Sequence, residues 1–206
     1  MILGIETSCD ESAIAVFDHK QGLLKELIHT QIDLHKQYGG VVPELAVREH
    51  LTNLPLLLSE IKKNVELKKI TKIAVTQGPG LAGSLAIGIS MAKAISLFHN
   101  IPVLGINHLR SHAYSPFINL HEQNPDGFIP ALDKYLPHLG LIASGGNTLL
   151  FLIEKDRSIK IIGQTLDDAA GEALDKGAKM LGLEYPGGPL IEKMAQLGSR
   201  DKFTFP

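Results

Sequence analysis

One pattern is written twice along the chain, and it limits the folds available. Three short runs of apolar and β-branched residues, Ile2 to Thr7, Ser12 to Phe17 and Leu24 to Gln31, are separated by polar turns. The same alternation returns at Leu139 to Ala143, Thr148 to Ile153 and Ile159 to Gly163. Runs of this length bounded by turn residues read as strands, and three in succession as an antiparallel meander. Helical spacing follows each set, from Pro43 to about Lys63 and from about Ala169 to Leu181, with Pro43 suited to a first helical turn. Between them lie a strand from Lys72 to Thr76, a helix of small and apolar residues from Ser84 to Phe98, and a strand from Pro102 to Ile106. The order β-β-β-α-β-α-β joins a meander to right-handed crossovers. Residues 119–137 carry three prolines, a glycine and several charges, which suits an exposed connection between a lobe at 1–118 and a second at 138–206. Two such lobes facing each other would set their turns on one cleft.

Composition narrows the setting. With 206 residues and 44% hydrophobic content the chain can bury a core. Lysine and arginine number 20 against 22 acids, so no global basic excess announces a nucleic-acid binder, and any RNA contact needs a local patch or a partner. The N-terminus meets Glu6 without a basic region before it, unlike a signal peptide, and no stretch is expected to reach the roughly 20 apolar residues of a membrane span. A lone cysteine, Cys9, excludes an intrachain disulfide framework and fits a reducing compartment, so a cytoplasmic protein is expected.

Four turns would line the cleft: Thr7 to Ser12, Gly78 to Gly83, Ser144-Gly145-Gly146-Asn147, and Tyr185 to Pro189. Their glycines let a phosphate approach backbone amides, although each alone is also an ordinary turn. Asp10 and Glu11 in the first could act as base or be solvated turn acids. Asp168, Glu172 and Asp175 recur on one helical face, where like charges repel unless something binds them or the helix N-terminus favours them; a ribose hydroxyl would suit Asp175. His108 and His112 are four apart, so on a helix both imidazoles can point at one ion. They make half a metal site, and two polar residues on a half-exposed helix account for the spacing as well. Leu109 stands where the helical zinc-protease signature has its glutamate, which weighs against direct peptide hydrolysis.

Taken in order, Gly4 to Glu11, Tyr38 to Ala46, Thr76 to Gly80, Asn107-His-Leu-x-x-His-Ala113, Ser144 to Thr148, Asp167 to Ala173 and Tyr185 to Pro189 closely resemble the TsaD/Gcp family. Its members are tRNA threonylcarbamoyladenosine transferases, formerly described as O-sialoglycoprotein endopeptidases. The resemblance runs the whole chain. It implies an α/β, actin-like and Hsp70-like ATPase (RNase H-like) fold of two lobes, the second incomplete here. The implied reaction moves a threonylcarbamoyl group from threonylcarbamoyl-AMP to N6 of adenosine 37 in tRNAs reading ANN codons. By the same resemblance His108 and His112 would hold Fe2+ or Zn2+. Ile142, Ala143, Ser144, Gly145 and Gly146, with Asn147 beside them, would form the substrate loop; Asp175 and Gly188 would hold the nucleoside of the adenylate or of ATP. Asp10 and Glu11 match the acidic pair near the reacting centre.

The implied partners are tRNA, a TsaB-like paralogue, a TsaE-like ATPase and a TsaC-type synthase supplying the adenylate, with homodimer and heterodimer both open and no membrane. Arg110-Ser111 replaces the family's usual Glu-Gly, bringing a cation near the expected ion, and Asn147 replaces the histidine of bacterial members. The family continues beyond Pro206 with an asparagine for the substrate and an aspartate as third metal ligand, so a fragment or truncated form is expected, with apolar surface left uncovered. Two competing readings are a non-catalytic nucleotide-binding paralogue of the same complex and a metallo-endopeptidase.

Overall fold

The computed structural model describes residues 1–124, 126–199 and 201–204. Strands β1 (Ile2–Glu6), β2 (Glu11–Asp18) and β3 (Gly22–Thr30) form the expected meander. A short helix α1 (Ile32–Lys36) and a long α2 (Pro43–Asn64) then carry the chain over one face to β4 (Lys72–Gly78), which pairs parallel with β1. Helix α3 (Ala82–His99) crosses to β5 (Val103–Asn107), parallel to β4, giving the sheet order β3-β2-β1-β4-β5.

Strand parity explains which residues meet the helices. Leu3, Ile5, Ile14, Val16, Ile73 and Val75 alternate along their strands and are buried with Leu54 and Ile61 of α2 and Ala92 and Ile95 of α3. Each leucine, isoleucine or valine among them contributes roughly 1.5–3 kcal/mol when fully buried. That packing lets α2 run through Pro55, whose missing N–H would otherwise weaken a helix interior. At Gly88 a Cβ would stand 2.4 Å from Thr7 Oγ1, so only glycine lets α3 lie this close to β1. By length and composition α3 is apolar enough to cross a membrane, contrary to expectation; its Ser84, Leu85, Gly88, Ala92 and Ile95 face is buried within the described residues.

Helix α4 (His108–Tyr114) starts directly at the end of β5. The stretch expected to be an exposed connection instead carries α5 (Ile118–Gln123) and α6 (Phe128–Asp133), and Leu132 and Leu136 are buried with Ala113, Phe117, Ile142, Leu149, Phe151 and Ile153 in a second core. Pro130 falls within the first turn of α6, where its missing N–H costs no intrahelical bond, and Pro137 directly precedes β6. Strands β6 (His138–Ala143), β7 (Thr148–Ile153) and β8 (Ile159–Gln164) form the second antiparallel meander, followed by α7 (Ala170–Met180) and an unanticipated α8 (Gly187–Ala195). Leu139 and Leu141 lie exposed on one face of this sheet.

Candidate active site

The histidine pair is built by a cap and a strand end. Asn107 Oδ1 accepts the Arg110 N–H at 3.0 Å, capping α4 so that His108 and His112 share one face. Their rings meet edge to face, centroids 4.5 Å apart, with the two Nε2 atoms 3.1 Å from each other. Zinc–nitrogen bonds of about 2.0–2.1 Å set two tetrahedral ligands roughly 3.3 Å apart, so this edge fits a metal ion with little movement. Burial, then the neighbouring His108, lowers the His112 pKa and favours the neutral imidazole that ligation requires. Among the described residues no third His, Cys, Asp or Glu joins the pair. The Arg110 guanidinium sits 5.4 Å over the Tyr114 ring.

On its other side His108 meets a residue that sequence reasoning passed over. Glu6 Oε2 lies 3.1 Å from His108 Nδ1 and also accepts the Thr76 hydroxyl at 2.5 Å, while Oε1 accepts the Ser8 N–H. Burial would raise this carboxyl, but the bonds from His108, Ser8 and Thr76 outweigh it and hold the pKa at about 2.

Asp10 ends the β1–β2 turn and Glu11 opens β2. His50 of α2, fully buried, donates from Nε2 to the Cys9 carbonyl at 2.8 Å and accepts the Ser12 hydroxyl at Nδ1, 2.7 Å. The Gln31 N–H adds a bond to the Asp10 carbonyl at 3.1 Å. Burial and the adjacent Asp10 push Glu11 up to about 7, so its carboxyl exchanges a proton near neutrality. Folding therefore prefers protonated Glu11: its contribution is full below the ordinary value of 4.5 and is lost as pH rises towards 7. Glu11→Gln should flatten that loss, about 1–2 kcal/mol after discounting solvent screening of a half-exposed group, in urea titrations at pH 5 and pH 8. Burial and Asp10 push the Cys9 thiol up to about 12, which denies it a nucleophile's thiolate.

The second lobe brings the glycine turn. Ser144 N–H bonds the Asn147 carbonyl at 2.8 Å, and the Asn147 N–H bonds Ser144 Oγ at 3.1 Å. A Cβ on Gly145 or Gly146 would meet nothing within 4 Å, and neither has a left-handed φ, so nothing in the chain itself demands glycine there. The open space suits close approach of a ligand. Ile142, by contrast, is buried in the second core. Helix α7 begins against this turn: the Gly171 N–H reaches the Ser144 carbonyl at 3.0 Å, and a Cβ on Gly171 would stand 2.7 Å from Gly145 N. Helix α4 packs on β6, which feeds the same turn.

The acidic face of α7 needs no ligand. Lys176 Nζ lies 2.7 Å from Asp168 and 3.0 Å from Glu172, neutralising the repulsion expected there. Asp175 Oδ1 accepts the Gly187 N–H at 2.7 Å and faces the Gly188 N–H at 3.4 Å, so it caps α8. Asp175 also lines a cavity of about 590 Å³ with Asp33, Lys36, Tyr38, Lys179 and Tyr185, drawn from both lobes. Burial, with Asp10 and then Asp175 nearby, pushes the Tyr185 phenol up to about 12 and keeps it a hydrogen-bond donor.

Fold and site define a two-lobed protein of the actin-like class, with a histidine pair, an acidic turn and a glycine turn at the strand ends of its two sheets. The family model described as "TsaD: tRNA N6-adenosine threonylcarbamoyltransferase" matches residues 22–206, and the chain belongs to that family. A protein of that name from Thermosipho melanesiensis is 47% identical over 210 residues, covering all of this chain and 60% of the relative. Another from Fervidobacterium nodosum is 43% identical over 208 residues, covering all of this chain and 58% of the relative. The chain thus spans less than two thirds of the length of these relatives. Among solved structures, YeaZ from Pseudomonas aeruginosa overlays with a TM-score of 0.47 at 16% identity, covering 80% of this chain and 65% of YeaZ.

Proposed function

We propose that the chain, divided into lobes at 1–118 and 138–206, carries the nucleotide and metal half-sites of a transferase. This enzyme moves threonylcarbamoyl from threonylcarbamoyl-AMP to N6 of adenosine 37 in tRNAs reading ANN codons. The observation that carries this is the His108–His112 edge, on a helix packed against the strand that feeds the open Ser144–Asn147 turn. In the reaction the N6–carbon bond forms, the carbon–oxygen bond to AMP breaks, and the amine loses a proton. Burial and the neighbouring Asp10 hold Glu11 at about 7, which poises its carboxylate to accept that proton near neutrality with Asp10 beside it. Gly145 and Gly146 give the adenylate access to backbone, and Asp175, one oxygen of which caps α8, lines the cavity as a ribose acceptor. Fe2+ or Zn2+ held by His108 and His112 would supply a Lewis acid beside the acyl-phosphate.

The remaining protein partners in this reading are a TsaB-like paralogue, a TsaE-like ATPase and a TsaC-type synthase, in the cytoplasm. A scaffold paralogue would have no use for a metal pair, and a peptidase would find no nucleophile in Cys9. In protein isolated from its own cells, Glu11→Gln should slow single-turnover modification of unmodified tRNA by about 10²–10⁴-fold, measured by mass spectrometry of the nucleosides. An unchanged rate removes Glu11 as the base.

A further inference from the structure

Glu6 ends β1, and strand parity puts it opposite Leu3 and Ile5, on the sheet face turned away from the α2–α3 core. The parallel register sets Ile5 beside Val75, which brings Thr76 next to Glu6. The two anchors from Thr76 and Ser8 fix the carboxylate, so it cannot swing round to become a ligand without losing both. An ionised carboxylate only accepts hydrogen bonds, so His108 must carry its proton on Nδ1. The lone pair of His108 Nε2 is then left facing His112 Nε2. Ser8 Oγ, 3.3 Å from the same Nδ1, accepts a share of that proton's bond. His112 has no such partner: among the described residues no hydrogen bond reaches its Nδ1.

We infer that Glu6 is a positioning residue that locks His108 in the Nδ1–H tautomer and so presets one of two metal ligands, leaving His112 to adjust on binding. This rests on the reading of His108 and His112 as a metal pair. Carboxylates behind ligating histidines typically matter 10–100-fold in metal affinity. Zn2+ titration of the chain by calorimetry, with Co2+ absorption as a second probe, should show Glu6→Gln weakening binding by about 10–100-fold. Long-range 15N–1H spectra at a pH where imidazoles are neutral should show wild-type, metal-free His108 as the Nδ1–H tautomer. In Glu6→Gln they should show a mixture, with the other histidines unchanged. The wild-type spectrum needs no variant, so a failure of Glu6→Gln to fold leaves the inference open to refutation: an Nε2–H tautomer at wild-type His108 overturns it. Equal Zn2+ affinity in wild type and Glu6→Gln overturns the role of Glu6 alone. Absence of Zn2+ and Co2+ binding by the wild type overturns the metal pair itself, and the inference with it.

Discussion

His108→Ala is expected to abolish metal retention. The two Nε2 atoms, 3.1 Å apart, would form one edge of a coordination shell, and among the described residues no group of three His, Cys, Asp or Glu could hold a metal ion without them. Removing His108 leaves a single imidazole on a solvent-facing helix and strands Glu6, whose carboxylate then points at an empty space. The loss should exceed the roughly 10–100-fold typical of outer-shell changes, because a ligand itself is gone. Metal analysis after dialysis, with a thermal melt to confirm folding, checks it. Metal content equal to wild type would sink the assignment of the pair.

What made that pair legible was local: four-residue spacing behind an apolar strand. Its supporting residue was not, because Glu6 lies 102 positions from His108 and only the parallel sheet joins them. The same distinction runs through the fold. Both meanders and both crossovers follow from alternation that a short window contains, and the strand at Thr148–Ile153 is bounded as expected. Helices α5 and α6 are six residues each, too short to be stable by propensity, and they form because Leu132 enters a core assembled from distant strands. Lys176, in contrast, was readable as the counterion of Glu172 four residues earlier. Without it, the repulsion between Asp168 and Glu172 was left with a bound ligand or the helix N-terminus as its two explanations. His50 shows a further long-range support: buried on α2, it bonds Cys9 and Ser12 and holds the acidic turn in place.

The glycine turn yields the other large effect, because its position depends on a residue in the next element. Gly171→Ala should cost the chain its nucleotide affinity while leaving the histidine pair able to bind metal. The added Cβ would stand 2.7 Å from both Gly145 N and Ser144 O, atoms of backbone that cannot rotate aside as a side chain could. Either the first turn of α7 lifts or the Ser144–Asn147 turn shifts, and the bond from the Gly171 N–H to the Ser144 carbonyl is strained in both cases. Overpacking of this kind costs about 1–3 kcal/mol. If that displacement is taken at the turn, it corresponds to roughly 5–150-fold in affinity for an adenine nucleotide. Gly177→Ala, on the same helix, is the control: its Cβ would meet only Ile191 Cδ1 at 3.8 Å, an ordinary contact, and alanine favours a helix. Titration with a fluorescent adenine nucleotide should therefore separate the two variants. Equal affinity in Gly171→Ala and wild type, or an equal loss in Gly177→Ala, would mean that the turn does not bind the nucleotide. The open space over Gly145 and Gly146 would then need another explanation.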